Sequence, residues 1–423
     1  MKKFDLVESQ RAEIPLTREQ AQGLFTLGKK LASKTGWWGD TEETPPSSVI
    51  DVAQAPDGMW SIVVREAVGV VSIDGIQLVV SPKIPFQHFL YLAGQSGVIP
   101  RIESLPTEIA ADKSLWEIVA HWSVHAAEGV LRGELAKGYC ETTDELELSR
   151  GRLLPLETAR LFYQGRPIVA CEFEEFSENI ALNRLLRAGC DRVASSPLLD
   201  RELRHRARVA LVRMTDVGPL QDSDLSVQVD RLTHRYMDAI AFAKVLLRGG
   251  GTRITHGEAH GWCFLIRTPS LIESGIRGVL QREIGSTWVI TKKPRTLPGA
   301  SLTLNPDLVF DGGLAIGDVK YKYLDVEWSR ADLYQSVAFA AGYESDFAAL
   351  IGFTDRRVAT PKPVRFGKID VAAFAWDAGT GIEPARAGEA LAAEVAECLR
   401  RAARRRQSLR VRLPGGAQSL GRP

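Results

Sequence analysis

NPDLVFDGGLAIGDVKYKY, residues 305–323, is the stretch on which the reading of this chain turns. Gly312-Gly313 suits a two-residue hairpin loop, because the turn that matches strand twist needs positive φ at both central positions. Asp311 then pairs with Leu314, and the register sets Asp307 directly opposite Asp318. Asp318 and Lys320 are two apart on one strand and share a face. Two carboxylates and one ammonium gather on one side of the hairpin. Like charges opposite each other destabilise a sheet, and a divalent cation between them removes that penalty. Mg²⁺ prefers carboxylate oxygens and water, and water bound to such an ion has its pKa lowered toward hydroxide. Lys320 is placed to orient or deprotonate that water, or to stabilise charge growing on a phosphate. These are the parts of a phosphodiester-hydrolysis site. The same three residues also fit a solvated edge hairpin with Lys320 as a surface salt-bridge partner. The flanks favour the first reading: IGDVKYK begins as an apolar strand that Asp318 interrupts, and a buried carboxylate without a partner is costly.

Working outward, the spacing predicts helices over Pro269–Glu283 and Ala331–Tyr343. Strands are predicted over Thr287–Thr291, Leu302–Phe310, Leu314–Tyr323 and Ala348–Phe353. Helices alternating with strands indicate an α/β domain with a mixed sheet. Its start is set at the flexible run Arg248-Gly-Gly-Gly-Thr252. Before it, residues 111–250 read as mainly helical, with helices around Leu115–Trp122 and over Phe176–Val193, Leu199–Met214 and Val227–Leu247. The charged segment Glu141–Glu157 reads as a projecting hairpin or loop. Residues 1–110 read as a β-rich module. A helix over Thr17–Ser33, with a Thr17/Gln20 capping box, precedes a loop over Trp37–Ser48. The runs MWSIVVRE, VGVVSI and IQLVVSPKI follow, with a hairpin at Asp74-Gly75. The fold expected is multidomain α+β: residues 1–110 β-rich, 111–250 helical, 251–398 α/β, and 399–423 a basic tail expected to be disordered.

Composition excludes several classes. With 45% apolar and 25% charged residues and a net charge of +1, the chain is ordinary for a globular protein, not disordered or collagen-like. A nucleic-acid binder of this balance must segregate its basic groups. The start, MKKFDLVESQRAE, has no apolar core of a secretory signal, and no run reaches the ~18–20 apolar residues of a membrane span. Five scattered cysteines without a CxxC pair argue against disulfides and zinc. The expectation is a cytoplasmic protein with no membrane contact. GLFTLGKK, residues 23–30, nearly fits a phosphate loop, but Lys30 replaces the needed hydroxyl and the segment reads as helix. The pairs His121/His125 and His256/His260 lack the Glu of a zinc motif, so packing explains them better. The arginine run over Arg400–Arg412 fits a DNA backbone or a solvated helix end equally. Trp37-Trp38 fits a partner site or a cap on the β module.

Pro306-Asp307 followed by Asp318-Val319-Lys320 resembles the PD-(D/E)xK nuclease signature, which alone is a weak pattern. A more specific resemblance comes from an ordered set of segments: IQLVVSPKI, LSRGRL, CEFEEFSENIALNRLLRAG, DVKYK and DLYQ are similar to the McrC family. McrC is the nuclease subunit of the McrBC modification-dependent restriction system, and the resemblance spans about residues 60–355. It implies a restriction-endonuclease-like third region that cuts double-stranded DNA with Mg²⁺, or Mn²⁺ as an alternative, at Asp307, Asp318 and Lys320. It implies that the first two regions dock onto a McrB-like AAA+ GTPase hexamer and stimulate its hydrolysis. Recognition of methylated DNA would lie with that motor, and the Glu141–Arg152 segment is a candidate for reaching it. Glu273, in LIESGIRGVL, resembles an additional metal-binding acid, although Ser270 and Glu273 also match a capping box. Gln335, in DLYQSVAF, resembles the Gln of a Q-x-x-x-Y motif, with Phe339 in place of the Tyr. Lys322 shares the Lys320 face if the strand is regular, in reach of phosphate. Two rival readings stand beside this one: a regulator of a motor NTPase with an idle nuclease site, and a stand-alone DNA-processing nuclease.

Overall fold

Leu24, Leu27 and Leu31 recur at helical spacing, and in the computed structural model all three are buried. The structure describes residues 2–33, 46–97, 114–248, 254–256, 259–299, 302–355 and 359–411. Strands β1 (Lys2–Val7) and β2 (Ala12–Ile14) precede helix α1 (Arg18–Ala32). Thr17 and Gln20 form the expected capping box, and the phosphate-loop-like GLFTLGKK lies wholly inside this helix. Strands β3 (Ile50–Gln54), β4 (Trp60–Val64), β5 (Ala67–Ile73) and β6 (Ile76–Ser81) follow, then α2 (Phe86–Gln95). The β5–β6 turn places Asp74 and Gly75 at positive φ, as the hairpin signal required. Trp37-Trp38 lies outside the described residues.

Helix α3 (Leu115–Leu131) opens the middle region, capped by Ser114 with Glu117. Strands β7 (Gly138–Leu146) and β8 (Arg152–Leu153), helix α4 (Pro155–Tyr163) and strand β9 (Val169–Ser177) build a projection around the antiparallel sheet β7-β9-β8. The expected helix over Phe176–Val193 therefore starts five residues late, its first two residues ending a strand. CEFEEFS pairs along β7 from Gly138↔Ser177 to Leu146↔Val169, and α5 (Ala181–Ala194) begins only afterwards. Helix α6 (Arg201–Val212) matches its expectation, whereas α7 (Met237–Arg248) begins ten residues late. The reason is local: Asp230 Oδ1 accepts from the N–H of Leu232 and from the N–H and hydroxyl of Thr233 at 2.7–2.9 Å. Such side-chain turns compete with helical backbone bonds.

Beyond residue 253, the chain first returns to the N-terminal sheet. Strand β10 (Ile254–His256) pairs with β11 (Ala259–Arg267), which pairs antiparallel with β5, giving the order β1-β6-β5-β11-β10. This corrects the boundary expected at the glycine run, which itself lies outside the described residues. β5 is buried on both faces, so it needs a neighbour at each edge, and β11 supplies the second. The α/β unit starts with α8 (Pro269–Ile284) and continues through β12 (Ile290–Thr291), β13 (Arg295–Thr296), β14 (Thr303–Leu304), β15 (Leu308–Phe310) and β16 (Ala315–Tyr323). Helix α9 (Arg330–Gly342), β17 (Phe347–Thr354), β18 (Val364–Phe366), β19 (Ile369–Asp377) and α10 (Pro384–Val411) complete it. The six-stranded sheet is mixed as expected, in the order β12-β15-β16-β17-β19-β18, with β16, β17 and β19 parallel. Asn305-Pro306 interrupts the single strand expected over 302–310, since proline cannot donate to a ladder. The basic tail from 399, expected to be disordered but with its arginine run also fitting a helix end, is helical to Val411; residues 412–423 lie outside the described ones.

One apolar core joins the regions: Val70, Phe89, Trp116, Ile272, Ile276, Phe310 and Val319 belong to a single cluster. The α2–α8 crossing is close because α8 carries glycine there. A Cβ at Gly275 would stand 2.4 Å from Leu92 O, and one at Gly278 2.1 Å from Gln95 O. No helix among the described residues is long and apolar enough to cross a membrane.

Candidate active site

The hairpin register is the expected one. Phe310↔Ala315, Val309↔Ile316 and Leu308↔Gly317 pair, and the next position outward sets Asp307 opposite Asp318. The turn is longer than expected. Asp311, Gly312 and Gly313 all have positive φ, and the N–H groups of Gly313 and Leu314 both donate to Phe310 O at 2.9 Å. Asp311 tolerates that conformation while its carboxylate accepts from Val289 N at 2.8 Å.

Asp307 and Asp318 are buried, with 6% and 5% of their surface exposed. Asp307 Oδ2 accepts from the Val319 N–H at 2.9 Å, which locks it against β16. Lys320 Nζ stands 2.8 Å from Asp318 Oδ2 and donates to Gln335 Oε1 at 2.6 Å. Gln335 on α9 thus reaches the site, while its helical neighbour Phe339 is buried in the core. The Asp318 Oδ2 atom is buried without an aligned hydrogen-bond donor, the Lys320 contact being an ion pair only. Burial pushes the Asp318 carboxyl up to about 6, with Lys320 opposing and Asp307 adding to the rise. Burial acts against the Lys320 ammonium, but Asp318 outweighs it and holds the pKa above the ordinary lysine value.

Glu273 joins the cluster from the second turn of α8. Thr268 is the N-cap of that helix and makes no side-chain cap bond, so the Ser270–Glu273 capping box does not form. Burial, then the charge of Asp307, raise the Glu273 carboxyl to about 7, with Lys292 opposing. Lys292, just past β12, stands 3.6 Å from Glu273 Oε2 and 3.3 Å from Asp307 Oδ1. Lys322 does not join them: its ammonium pairs with Asp332 on α9. The regularity that would align it with Lys320 fails, because β16 shifts register against β17 between Val319 and Tyr323.

Sequence reasoning missed Lys292, Arg277 and Glu8. Lys292 sits in TKKPRT, and only the strand order β12-β15-β16 reveals that it faces Asp307. Arg277, one turn past Glu273, donates to Asp307 O at 3.1 Å. Glu8 is fully buried and accepts from Thr268 Oγ1 at 2.6 Å and Lys83 N at 3.2 Å. Lys83 Nζ lies 4.3 Å from the centre of the Tyr321 ring. The N-terminal sheet therefore braces both α8 and the strand that carries Asp318.

The donor set suits a hard divalent cation. Its three acids offer oxygen ligands, a buried Asp318 oxygen has an ammonium as its polar neighbour, and a second ammonium contacts both Glu273 and Asp307. Among the described residues no three such ligands yet converge on one point.

The site as a whole is a mixed sheet bearing an acid cluster, braced by a β-rich module and a helical layer. The chain belongs to the family described as McrBC 5-methylcytosine restriction system component, whose model matches residues 62–351. It is similar to a chain in the refined half-complex from the tetradecameric assembly of Thermococcus gammatolerans McrB AAA+ hexamers with bound McrC. There the identity is 18% and the TM-score 0.61, over 93% of this chain and 100% of that one. A second match, in the cryo-EM structure of the Thermococcus gammatolerans McrBC complex, has 17% identity and a TM-score of 0.45 over 67% of this chain and 88% of that one. At such identities the first match speaks for the fold, and the second carries no argument. No curated protein matches. The family and the fold bear out the McrC resemblance seen in the sequence.

Proposed function

We propose that this chain is a McrC-like endonuclease subunit that hydrolyses DNA phosphodiesters with Mg²⁺, or Mn²⁺ in its place. Its α/β unit would be of the PD-(D/E)xK type, and it would work assembled with a McrB-like AAA+ GTPase hexamer. The observation that carries this is the Asp307–Asp318–Lys320 arrangement, with Lys320 Nζ 2.8 Å from a buried Asp318 oxygen.

Asp307, Asp318 and Glu273 would hold the ion. When bound, it supplies a water of lowered pKa and neutralises charge at the phosphate. The chain's own groups set the rest. Lys320, its ammonium against the Asp318 carboxylate, is placed to stabilise charge growing on the phosphate. Gln335 holds that ammonium in place. The Val319 N–H and the Arg277 guanidinium fix the side chain and carbonyl of Asp307. Preorganised groups of this kind need no rearrangement as charge develops.

The partner is argued from a different surface. Tyr139, Leu148, Leu156, Phe162, Tyr163 and Phe176 are exposed on the β7–β9 projection, Tyr163 by 94%. Tyr139 and Phe176 meet there with ring centroids 5.3 Å apart, and contiguous exposed apolar surface marks interaction sites. The similar fold comes from an assembly of McrB AAA+ hexamers with bound McrC, so the occupant proposed here is a motor of that class. Choice of DNA target would lie with the motor.

The test mixes the chain with such a motor, nucleotide, Mg²⁺ and methylated double-stranded DNA. Cleavage is expected from the native chain and not from Asp307→Ala or Lys320→Ala. Cutting by both variants at the native rate would overturn the reading.

A further inference from the structure

The acid cluster already contains a cation of the chain's own. Lys292 Nζ lies 3.3 Å from Asp307 Oδ1 and 3.6 Å from Glu273 Oε2. It differs from Lys320 in its support. Lys320 is gripped by Asp318 and by Gln335, and 26% of its side chain is exposed. Lys292 follows a two-residue edge strand, its side chain is 35% exposed, and its polar contacts among the described residues are these two carboxylates. A lysine is a compact hydrated charge on a flexible stem, so it can leave for water with little loss.

Resting on the metal-site reading above, we infer that Lys292 is an exchangeable counter-cation. It neutralises Glu273 and Asp307 in the metal-free chain and is displaced from them when a divalent ion enters. An ion coordinated through the oxygens of Glu273 and Asp307 takes the lone pairs that now face the ammonium. The two cations would also repel across a few ångströms. The exchange explains how Glu273 and Asp307 stay side by side in a folded, metal-free chain, where unpaired buried carboxylates are costly.

Calorimetric titration of Mn²⁺ alone, without DNA or motor, tests this on the full chain. Lys292→Met is expected to bind Mn²⁺ about tenfold more tightly than the native chain, the scale of removing one competing unit charge in a partly solvated site. Lys292→Arg, which keeps the charge, should stay near the native affinity. Without metal, Lys292→Met should melt below the native chain, and Mn²⁺ should raise its melting temperature by the larger increment. Equal or weaker Mn²⁺ binding by Lys292→Met would overturn the inference and make Lys292 a clamp that holds the acids together. Asp318→Asn separates the two claims. If the native chain binds Mn²⁺ and Asp318→Asn does not, the metal site stands whatever Lys292 does. If neither the native chain nor Lys292→Met binds millimolar Mn²⁺, both claims fall.

Discussion

The carboxylate of Asp307 accepts a 2.9 Å hydrogen bond from the backbone N–H of Val319, across the hairpin and one residue past Asp318. The bond makes the spacing of the two aspartates a property of the backbone. Asn at 307 could keep that bond through its carbonyl oxygen while losing the charge. Asp307→Asn should therefore fold with a melting temperature near native and lose cleavage by about a hundredfold or more, as when a metal site loses a critical partner. Cleavage within a few-fold of native would remove Asp307 from the site.

Gln335 acts through Lys320. Replacing Gln335 by Ala frees the Lys320 ammonium from its 2.6 Å partner. The turnover rate should fall by about tenfold to a hundredfold, the usual loss for an orienting partner, with little change in the KM for DNA. A raised KM with unchanged turnover would instead make Gln335 a DNA contact.

The acids should give metal binding a pH dependence. Burial and Asp307 hold Glu273 at about 7 against 4.5, and burial holds Asp318 at about 6 against 3.8. Both bind protons more tightly in the folded chain, so the stability they contribute is complete below about pH 4 and is lost as pH rises through 6 to 7. The metal-free native chain should lose melting temperature over that window relative to Glu273→Gln. Ligands must shed protons to bind, so Mn²⁺ should release about one proton per ion near pH 6.5 and almost none at pH 8. Calorimetry in buffers of different protonation enthalpy measures this. Equal release at the two pH values would refute it.

Docking should be separable from cutting. Leu156 and Tyr163 are 73% and 94% exposed on the β7–β9 projection. Changing both to Ala should raise the amount of chain needed for half-maximal GTPase stimulation of the motor by about tenfold or more, the scale of interface anchors. Mn²⁺ affinity should not move. Conversely, Asp318→Ala should stimulate the motor normally while failing to cut.

Gly275 lets α2 approach the helix that carries Glu273. Alanine in a helix ordinarily gains about 1 kcal/mol over glycine. Here the added methyl would meet Leu92 O at 2.4 Å, and overpacking costs about 1–3 kcal/mol. Gly275→Ala should therefore lower the melting temperature, and Mn²⁺ affinity should fall as α8 shifts. A stabilised variant would show that the helices can part at no cost.

Local signals sufficed for much of this. The Thr17/Gln20 capping box, the helices of the α/β unit and the Asp307–Asp318 register were legible, because each depends on neighbours a few residues apart or on strict strand alternation. So was the Asp318–Lys320 face. Failures came where distant chain decides. Phe176 and Ser177 ended a strand instead of opening a helix because β7 was there to pair with them. β11 joined the first sheet because β5, paired with β6 on one edge, had its other edge open. Lys322 left the site when β16 slipped against β17 and Asp332 offered a partner. By itself, then, the sequence determined the two aspartates, the lysine beside them and the turn that sets them face to face, since hairpin geometry is local. Only the tertiary structure decided that Glu273, Lys292, Arg277 and Gln335 meet there. Charges come together through the packing of α8, β12 and α9 on one sheet, and that packing is written in no single stretch of chain.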